Sequence, residues 1–231
     1  MTPTTDQRTA PDTASGAVPF EAGRPRRTLP GRAVPADYAE AMVSLTIAQD
    51  PTADRVLSED PFALLVGMLL DQQFPMERAF AGPAKVLERF GTLDPSTVAD
   101  ADPESFAEIC ATPPAVHRYG RSMAGRIQAL AAVVRDDYGG NAASIWQEAE
   151  TGAELVARLK ALPGFGEQKA RIFAALLGKQ LGVRPPGWEE ACGAYAEQGS
   201  FRSVADVVDA DSLQKVRDFK KAAKAAPRGS S

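Results

Sequence analysis

Cysteine and histidine are nearly missing from this 231-residue chain, which holds only Cys110, Cys192 and His117. Two cysteines cannot make a disulfide framework, and they fall short of a four-cysteine zinc or iron–sulfur site. A single histidine excludes histidine-rich metal centres. Strand signals are scarce too: there is no sustained apolar–polar alternation and no Asn-Gly hairpin dipeptide. No uninterrupted apolar stretch reaches the ~18 residues that a membrane-spanning helix needs, so no membrane partner is expected. No apolar segment near the start resembles a secretory signal, and the cytoplasm with its nucleoid is the expected location. The formal net charge of −4 argues, taken alone, against a nucleic-acid partner.

What is present describes a globular chain. Hydrophobic residues make up 44% and charged residues 24%, close to the average for a soluble domain. The charge is unevenly spread. Ser44 to Glu108 holds twelve acidic and four basic residues, a net of −8, whereas Glu154 to Arg184 holds six basic and two acidic, a net of +4. Lys220, Lys221, Lys224 and Arg228 add a basic tail. An acidic chain can still present a local basic face; the plain alternative is solvated helix surface. Residues 1–40 are rich in Thr, Pro, Ala, Gly and Arg, with almost no large apolar side chains. They are expected to be a disordered extension, because they bury too little to offset the entropy of ordering. Met42 offers a second translation start.

From Ala36 onward the apolar period is mostly that of a helix. Pro61 to Leu70 is apolar nearly all round, which predicts a central buried helix with Asp60 as its N-cap. Met76 to Phe90 predicts another, broken at Gly82-Pro83. Short helices start at Asp94-Pro and Asp102-Pro. Ser122 to Arg135 turns Met123, Ile127, Leu130 and Val134 inward and ends at Gly139-Gly140. Glu154–Leu162 and Glu167–Leu181 form a pair joined by Pro163-Gly-Phe-Gly166, and a last helix begins near Ser212. The expected fold class is all-α.

The sharpest signal is Leu159-Lys-Ala-Leu-Pro-Gly-Phe-Gly-Glu-Gln-Lys-Ala-Arg-Ile-Phe173. Two helices flank a turn with two glycines, which lets the backbone come close to another molecule. Gly166 leads straight into a helix, whose first amides point outward with the positive end of the dipole behind them. That geometry holds a phosphate without side chains. Lys169 and Arg171 add charge, and Leu162 with Phe165 would pin the turn to the core. The plain alternative is an ordinary glycine-rich helix connection.

Leu162-Pro-Gly-Phe-Gly166 followed by Lys169-Ala170 resembles the helix-hairpin-helix of the endonuclease III-like DNA glycosylases, the HhH-GPD superfamily. Asp60-Pro-Phe-Ala-Leu-Leu-Val-Gly-Met-Leu-Leu-Asp-Gln-Gln73 is similar to that family's buried first-domain helix, which ends in a glutamine. Tyr119 to Leu130 resembles its aromatic–basic helix. The three matches come in the family's order and cover roughly residues 50 to 195. The resemblance implies a two-lobed helical fold: one lobe of about 60–165, including the start of the hairpin, and a second from 41–59 and 170–226. It implies double-stranded DNA across the cleft and hydrolysis of the N-glycosidic bond of a flipped, damaged or mismatched base. It also implies that Gln73, or Gln72 beside it, fills the hole left by that base, and that Leu162, Pro163, Gly164, Phe165, Gly166, Gln168 and Lys169 lie at the DNA. A monovalent cation on the main-chain carbonyls near Lys160, Leu162 and Phe165 belongs to the same picture.

The chain departs from the family in three places. Bifunctional members carry a lysine nucleophile two residues after the second glycine, where this chain has Gln168. Lys169, one residue on and about 100° round the helix, is expected to point elsewhere, so no lyase step is expected. The family's catalytic aspartate would fall at Pro185 or Pro186. Asp71, Glu189 and Glu190 are the candidates to replace it; Asp71 is equally readable as a structural carboxylate at the helix end, and the two glutamates read more readily as a solvated first helical turn. The four-cysteine iron–sulfur loop is absent from the sequence, so no cluster is expected, and Cys110 and Cys192 read as buried small residues. Trp188 reads either as a stacking surface for the flipped base or as a core residue. His117, Arg118, Tyr119 and Arg121 read as phosphate contacts or as a plain loop, and the basic tail reads as following the DNA backbone non-specifically or as frayed. The leading expectation is a monomeric, hydrolytic DNA glycosylase. Its rivals are a non-catalytic protein that recognises distorted or abasic DNA, and a helical interaction protein with no nucleic acid.

Overall fold

The computed structural model describes residues 44–225. The N-terminal extension, Met42 and Arg228 lie outside the described residues. In chain order the helices are α1 (Pro51–Glu59), α2 (Pro61–Leu70), α3 (Met76–Phe80), α4 (Gly82–Phe90), α5 (Pro95–Asp100) and α6 (Pro103–Ala111). After them come α7 (Gly120–Tyr138), α8 (Ser144–Gln147), α9 (Gly152–Lys160), α10 (Glu167–Gln180), α11 (Trp188–Cys192) and α12 (Ala210–Ala225). Two 3-10 turns, Gly193–Tyr195 and Val204–Asp206, sit between α11 and α12. No strand occurs among the described residues, and the all-α expectation holds.

Aspartate followed by proline punctuates the first half. Asp50, Asp60, Asp94 and Asp102 each accept amide N–H groups from the turn they open, and a proline follows each. The carboxylate satisfies donors that a helix start leaves orphaned, while proline has no N–H to satisfy there. These starts are therefore written locally in the sequence.

α2 is the axis of the core. Every residue from Phe62 to Leu70 is buried, and each large apolar side chain removed from water contributes about 2 kcal/mol. α1, α3, α4 and α7 pack around it. α7 supplies Met123, Ile127, Leu130 and Val134, all buried as their spacing predicts. It runs two residues earlier and three later than the pattern alone indicated, because Gly120 packs inward and Gly139, at φ 61°, stops it. The break between α3 and α4 falls at Ala81, beside the predicted Gly82-Pro83.

The second half is built round α10, which packs on α9, α11 and the turn at Val204–Asp206. Lys179 is buried here and forms a 2.5 Å ion pair with Asp206. Asp206 also accepts from the amides of Arg202 and Ser203, at 2.8 and 3.1 Å. A charge pair this deep persists only when further hydrogen bonds satisfy its atoms.

Both carboxylates of Glu154–Arg184 are paired within the segment: Lys160 and Arg171 both grip Glu167, at 2.7 and 2.8 Å, and Arg158 is 2.7 Å from Glu154. The net +4 already counts these carboxylates, and of the remaining cations Lys179 is spent on Asp206.

Candidate functional site

The hairpin between α9 and α10 is shaped by its two apolar anchors. Leu162 and Phe165 are buried, at 3% and 5% exposure, so the residues between and beside them are pushed to the surface. Gly164 and Gly166 are exposed and Pro163 is half-buried. Gly164 sits at φ 81°, and a Cβ there would lie 2.5 Å from the Leu69 Cδ1. Only glycine satisfies both the left-handed backbone and the close approach to α2. Gly166 gives α10 no side-chain cap, so its first-turn amides stay open to an incoming acceptor.

The bend rests on the end of α2, where Asp71, Gln72 and Gln73 follow. Gln72 is tied down: its amide nitrogen donates to the Leu69 carbonyl at 2.7 Å, and its oxygen accepts from Arg126 at 3.1 Å. Gln73 is exposed and held at φ 52°, an uncommon conformation for a residue other than glycine. The two glutamines thus differ in kind: Gln72 is a fixture and Gln73 projects. His117, buried at 1% exposure, braces this loop. Its Nδ1 accepts from the Tyr119 amide at 3.1 Å, which leaves Nε2 to donate to the Gln72 carbonyl at 2.9 Å. Burial holds its pKa below the ordinary value.

Lys169 is not where its sequence position suggested. Its Nζ reaches back along α2 and donates to the Met68 and Leu69 carbonyls, at 2.8 and 3.0 Å. The long apolar stem allows this: it crosses the packed interface while the ammonium caps the negative end of α2. Burial lowers its pKa to about 8, against the opposing pull of Asp71. Gln168 instead turns outward and donates to the Tyr195 hydroxyl at 2.9 Å.

A cleft of about 740 Å³ opens at this junction. α2 and its following loop contribute Met68 and Asp71 to Phe74, α10 contributes Gln168, Lys169 and Ile172, and α12 contributes Lys220 and Lys224. Asp71 is the only carboxylate among the lining residues. Burial raises its pKa, and the charges of Lys220 and Lys169 oppose that rise. A second hollow of about 500 Å³ shares Asp71, Lys220 and Lys224, and adds Lys221, Arg217 and Glu77. Arg217 is paired with Glu77 at 2.7 Å. The α12 wall was not anticipated. Positions 217, 220, 221 and 224 form one helical stripe, and that periodicity within the basic tail was the available signal.

Several expected site residues are not brought to the cleft. Trp188 is 3% exposed, and its Nε1 donates to the Ala174 carbonyl at 2.8 Å. Its ring lies so close to α10 that a Cβ on Gly178 would be 2.2 Å away. It is a core residue and not a stacking surface. Glu189 and Glu190 are exposed on the first turn of α11, which packs on α9 and α10, and neither lines the cleft. The Pro185-Pro186 loop folds back onto α9, where the Gly152 amide donates to the Pro186 carbonyl at 2.8 Å. Of the three carboxylates considered, the fold delivers Asp71. Arg118 lines the cleft with its guanidinium 4.6 Å from the Tyr119 ring centroid, while Arg121 is spent on Glu104. Cys110 and Cys192 are buried and unpaired, and burial lifts both thiols to about 11.

Curated proteins yield no match to the chain. Among solved structures, one match is described as a trapped endonuclease III–DNA covalent intermediate, an estranged-adenine complex. The two share 20% identity with a TM-score of 0.38, over 57% of this chain and 58% of that one. The chain thus spans a little over half the length of that neighbour. The model of the HhH-GPD superfamily of base excision DNA repair proteins matches residues 66–224, well over half of the chain. That span runs from the middle of α2, through the hairpin, to the end of the α12 stripe. The chain belongs to the HhH-GPD superfamily of base excision DNA repair proteins.

Proposed function

We propose that this protein is a monofunctional DNA glycosylase, which hydrolyses the N-glycosidic bond of a damaged or mismatched base flipped out of duplex DNA. The observation that carries this reading is the position of Asp71. Among the described residues it is the lone carboxylate that lines the 740 Å³ cleft, which the projecting Gln73 also lines. The open amides of α10 and the backbone of Gly164 to Gly166 grip the phosphates on one side. Gln73 enters the stack where the base has left, so the extruded nucleotide faces Asp71.

The Asp71 carboxylate then has two tasks. It stabilises the positive charge that grows on the sugar as the bond stretches, and it accepts the proton of the attacking water. Burial helps both, since charge interactions strengthen where water is excluded. The carbonyls of Lys160 and Phe165 receive no hydrogen bond among the described residues. With the Leu162 carbonyl they fit a monovalent cation, whose charge would add to the hold on the phosphate. The expected workplace is the nucleoid, with the protein acting as a monomer.

Lys169 gives a second reading a specific foothold. An amine with a pKa of about 8 is partly neutral near physiological pH. It can keep both hydrogen bonds to α2 while offering a lone pair to a sugar aldehyde. Incubation with a lesion-bearing duplex and borohydride separates the two. Base release without a trapped adduct supports hydrolysis, an adduct lost in Lys169→Gln supports the lyase, and binding without release makes the protein a non-catalytic reader of distorted DNA.

A further inference from the structure

The cleft surrounds one carboxylate with unpaired lysines, and the proposed reaction gives that charge a use. Lys215 and Arg217 of α12 are ion-paired, to Asp211 and Glu77. Lys220, Lys221 and Lys224 have no such partner among the described residues, and Lys220 is half-buried beside Asp71. The one aromatic face on the cleft is Phe74, whose ring centroid lies 4.7 Å from that of His117. A pocket meant for a cation would offer the reverse: open aromatic faces and few ammonium groups.

Building on the glycosylase reading above, we infer that the cleft takes an uncharged, carbonyl-bearing base of the deaminated or oxidised class, which departs as an anion beside Lys220 and Lys224, and rejects cationic alkylated purines. The bookkeeping of the bond decides this. When C1′–N breaks, its electron pair stays on the base nitrogen. An uncharged base therefore leaves as an anion, delocalised onto its carbonyls. Water supplies the new C1′–O bond and gives its proton to Asp71, from which it passes to the base anion. Ammonium groups at the cleft wall stabilise charge that exists only as the bond breaks, which is how an electrostatic group accelerates a reaction. A cationic purine is repelled on entry and departs neutral, so the same lysines raise its ground state and give its transition state nothing.

The test uses the full chain and duplexes that carry uracil, hypoxanthine, 8-oxoguanine or 7-methylguanine, with an abasic-analogue duplex as the measure of binding. Single-turnover base release is followed with protein in excess. The expected result is release of at least one of the three uncharged bases in preference to 7-methylguanine. Lys220→Gln should slow that release about tenfold while changing affinity for the abasic duplex far less. Faster release of 7-methylguanine overturns the inference. So does a Lys220→Gln variant whose only change is a weaker, less salt-dependent affinity, since Lys220 would then be a phosphate contact. Tight abasic binding with no release from any duplex is a different failure: it removes the glycosylase reading itself, and the inference with it. Equal melting temperatures for the two proteins show that folding is not what changed.

Discussion

Two bends in this chain are built from the same residue types, and the fold anchors them differently. Pro163-Gly-Phe-Gly166 joins α9 to α10 and keeps Gly164 and Gly166 at the surface. Pro185-Pro-Gly187 lies between α10 and α11; Pro186 and Gly187 are exposed too, but the Pro186 carbonyl is bonded to Gly152 and Trp188 is sunk against α10. The difference lies in where the aromatic stands. Phe165 sits inside the first bend, so its burial drives the neighbouring glycines outward. Trp188 follows the second bend, so its burial ties that bend down onto α9 and α10 while Pro186 and Gly187 stay at the surface. Proline and glycine permit a turn, but the nearest large apolar residue decides what the turn is anchored to.

The largest effect should come from the anchor of the second bend. Trp188→Ala leaves a cavity beside Gly178 and should cost about 3–5 kcal/mol, read as a lowered denaturant midpoint. DNA binding at a temperature where the variant stays folded should be intact; a selective loss of binding would return Trp188 to the site.

Next comes Asp71→Asn. Base release should fall by roughly a hundredfold or more, with abasic-duplex binding retained. In the wild type the acid limb of the rate profile should lie above the ordinary carboxylate range, because burial raises this pKa. The carboxylate must be ionised to act, so the rate falls as pH drops through that raised value. Lys220→Gln removes a charge that opposes the rise and should move the limb further up.

A smaller effect is expected at the outward bend. Gly166 has an ordinary φ of −86°, and a Cβ there meets nothing within 4 Å. Gly166→Leu should therefore keep stability within about 1 kcal/mol yet weaken DNA binding about tenfold, because the side chain holds the backbone off the phosphates. Unchanged affinity would end the claim that this bend faces DNA.

The smallest concerns the brace under Gln72. The His117 pKa is lowered on folding, so the unfolded chain binds more protons than the folded one between that value and the ordinary 6.5. Stability is fully present above 6.5 and falls as pH drops below it. His117→Asn should flatten this slope in denaturant melts across that range.

Much of this site could be read before any coordinates. The hairpin, the buried helix ahead of Gln72-Gln73 and the aspartate–proline helix starts are local patterns of neighbouring residues. The wall of the cleft is not local. Asp71 read equally as a structural carboxylate at a helix end, and Lys169 was misplaced because helical angle ignores the reach of a lysine stem across an interface. Lys220 and Lys224 read as a tail that either follows the DNA backbone or frays, since nothing nearby in sequence says that α12 returns to the end of α2.

The amino-acid order by itself determined the helices, their caps and the shape of the hairpin, because hydrogen-bond satisfaction and apolar period act within a few residues. Only the packed molecule decided, among the described residues, which carboxylate lines the cleft and which cations stand unpaired around it. Charge pairing and burial are settled between segments about a hundred residues apart, as when Lys169 caps α2, and no local pattern encodes that choice.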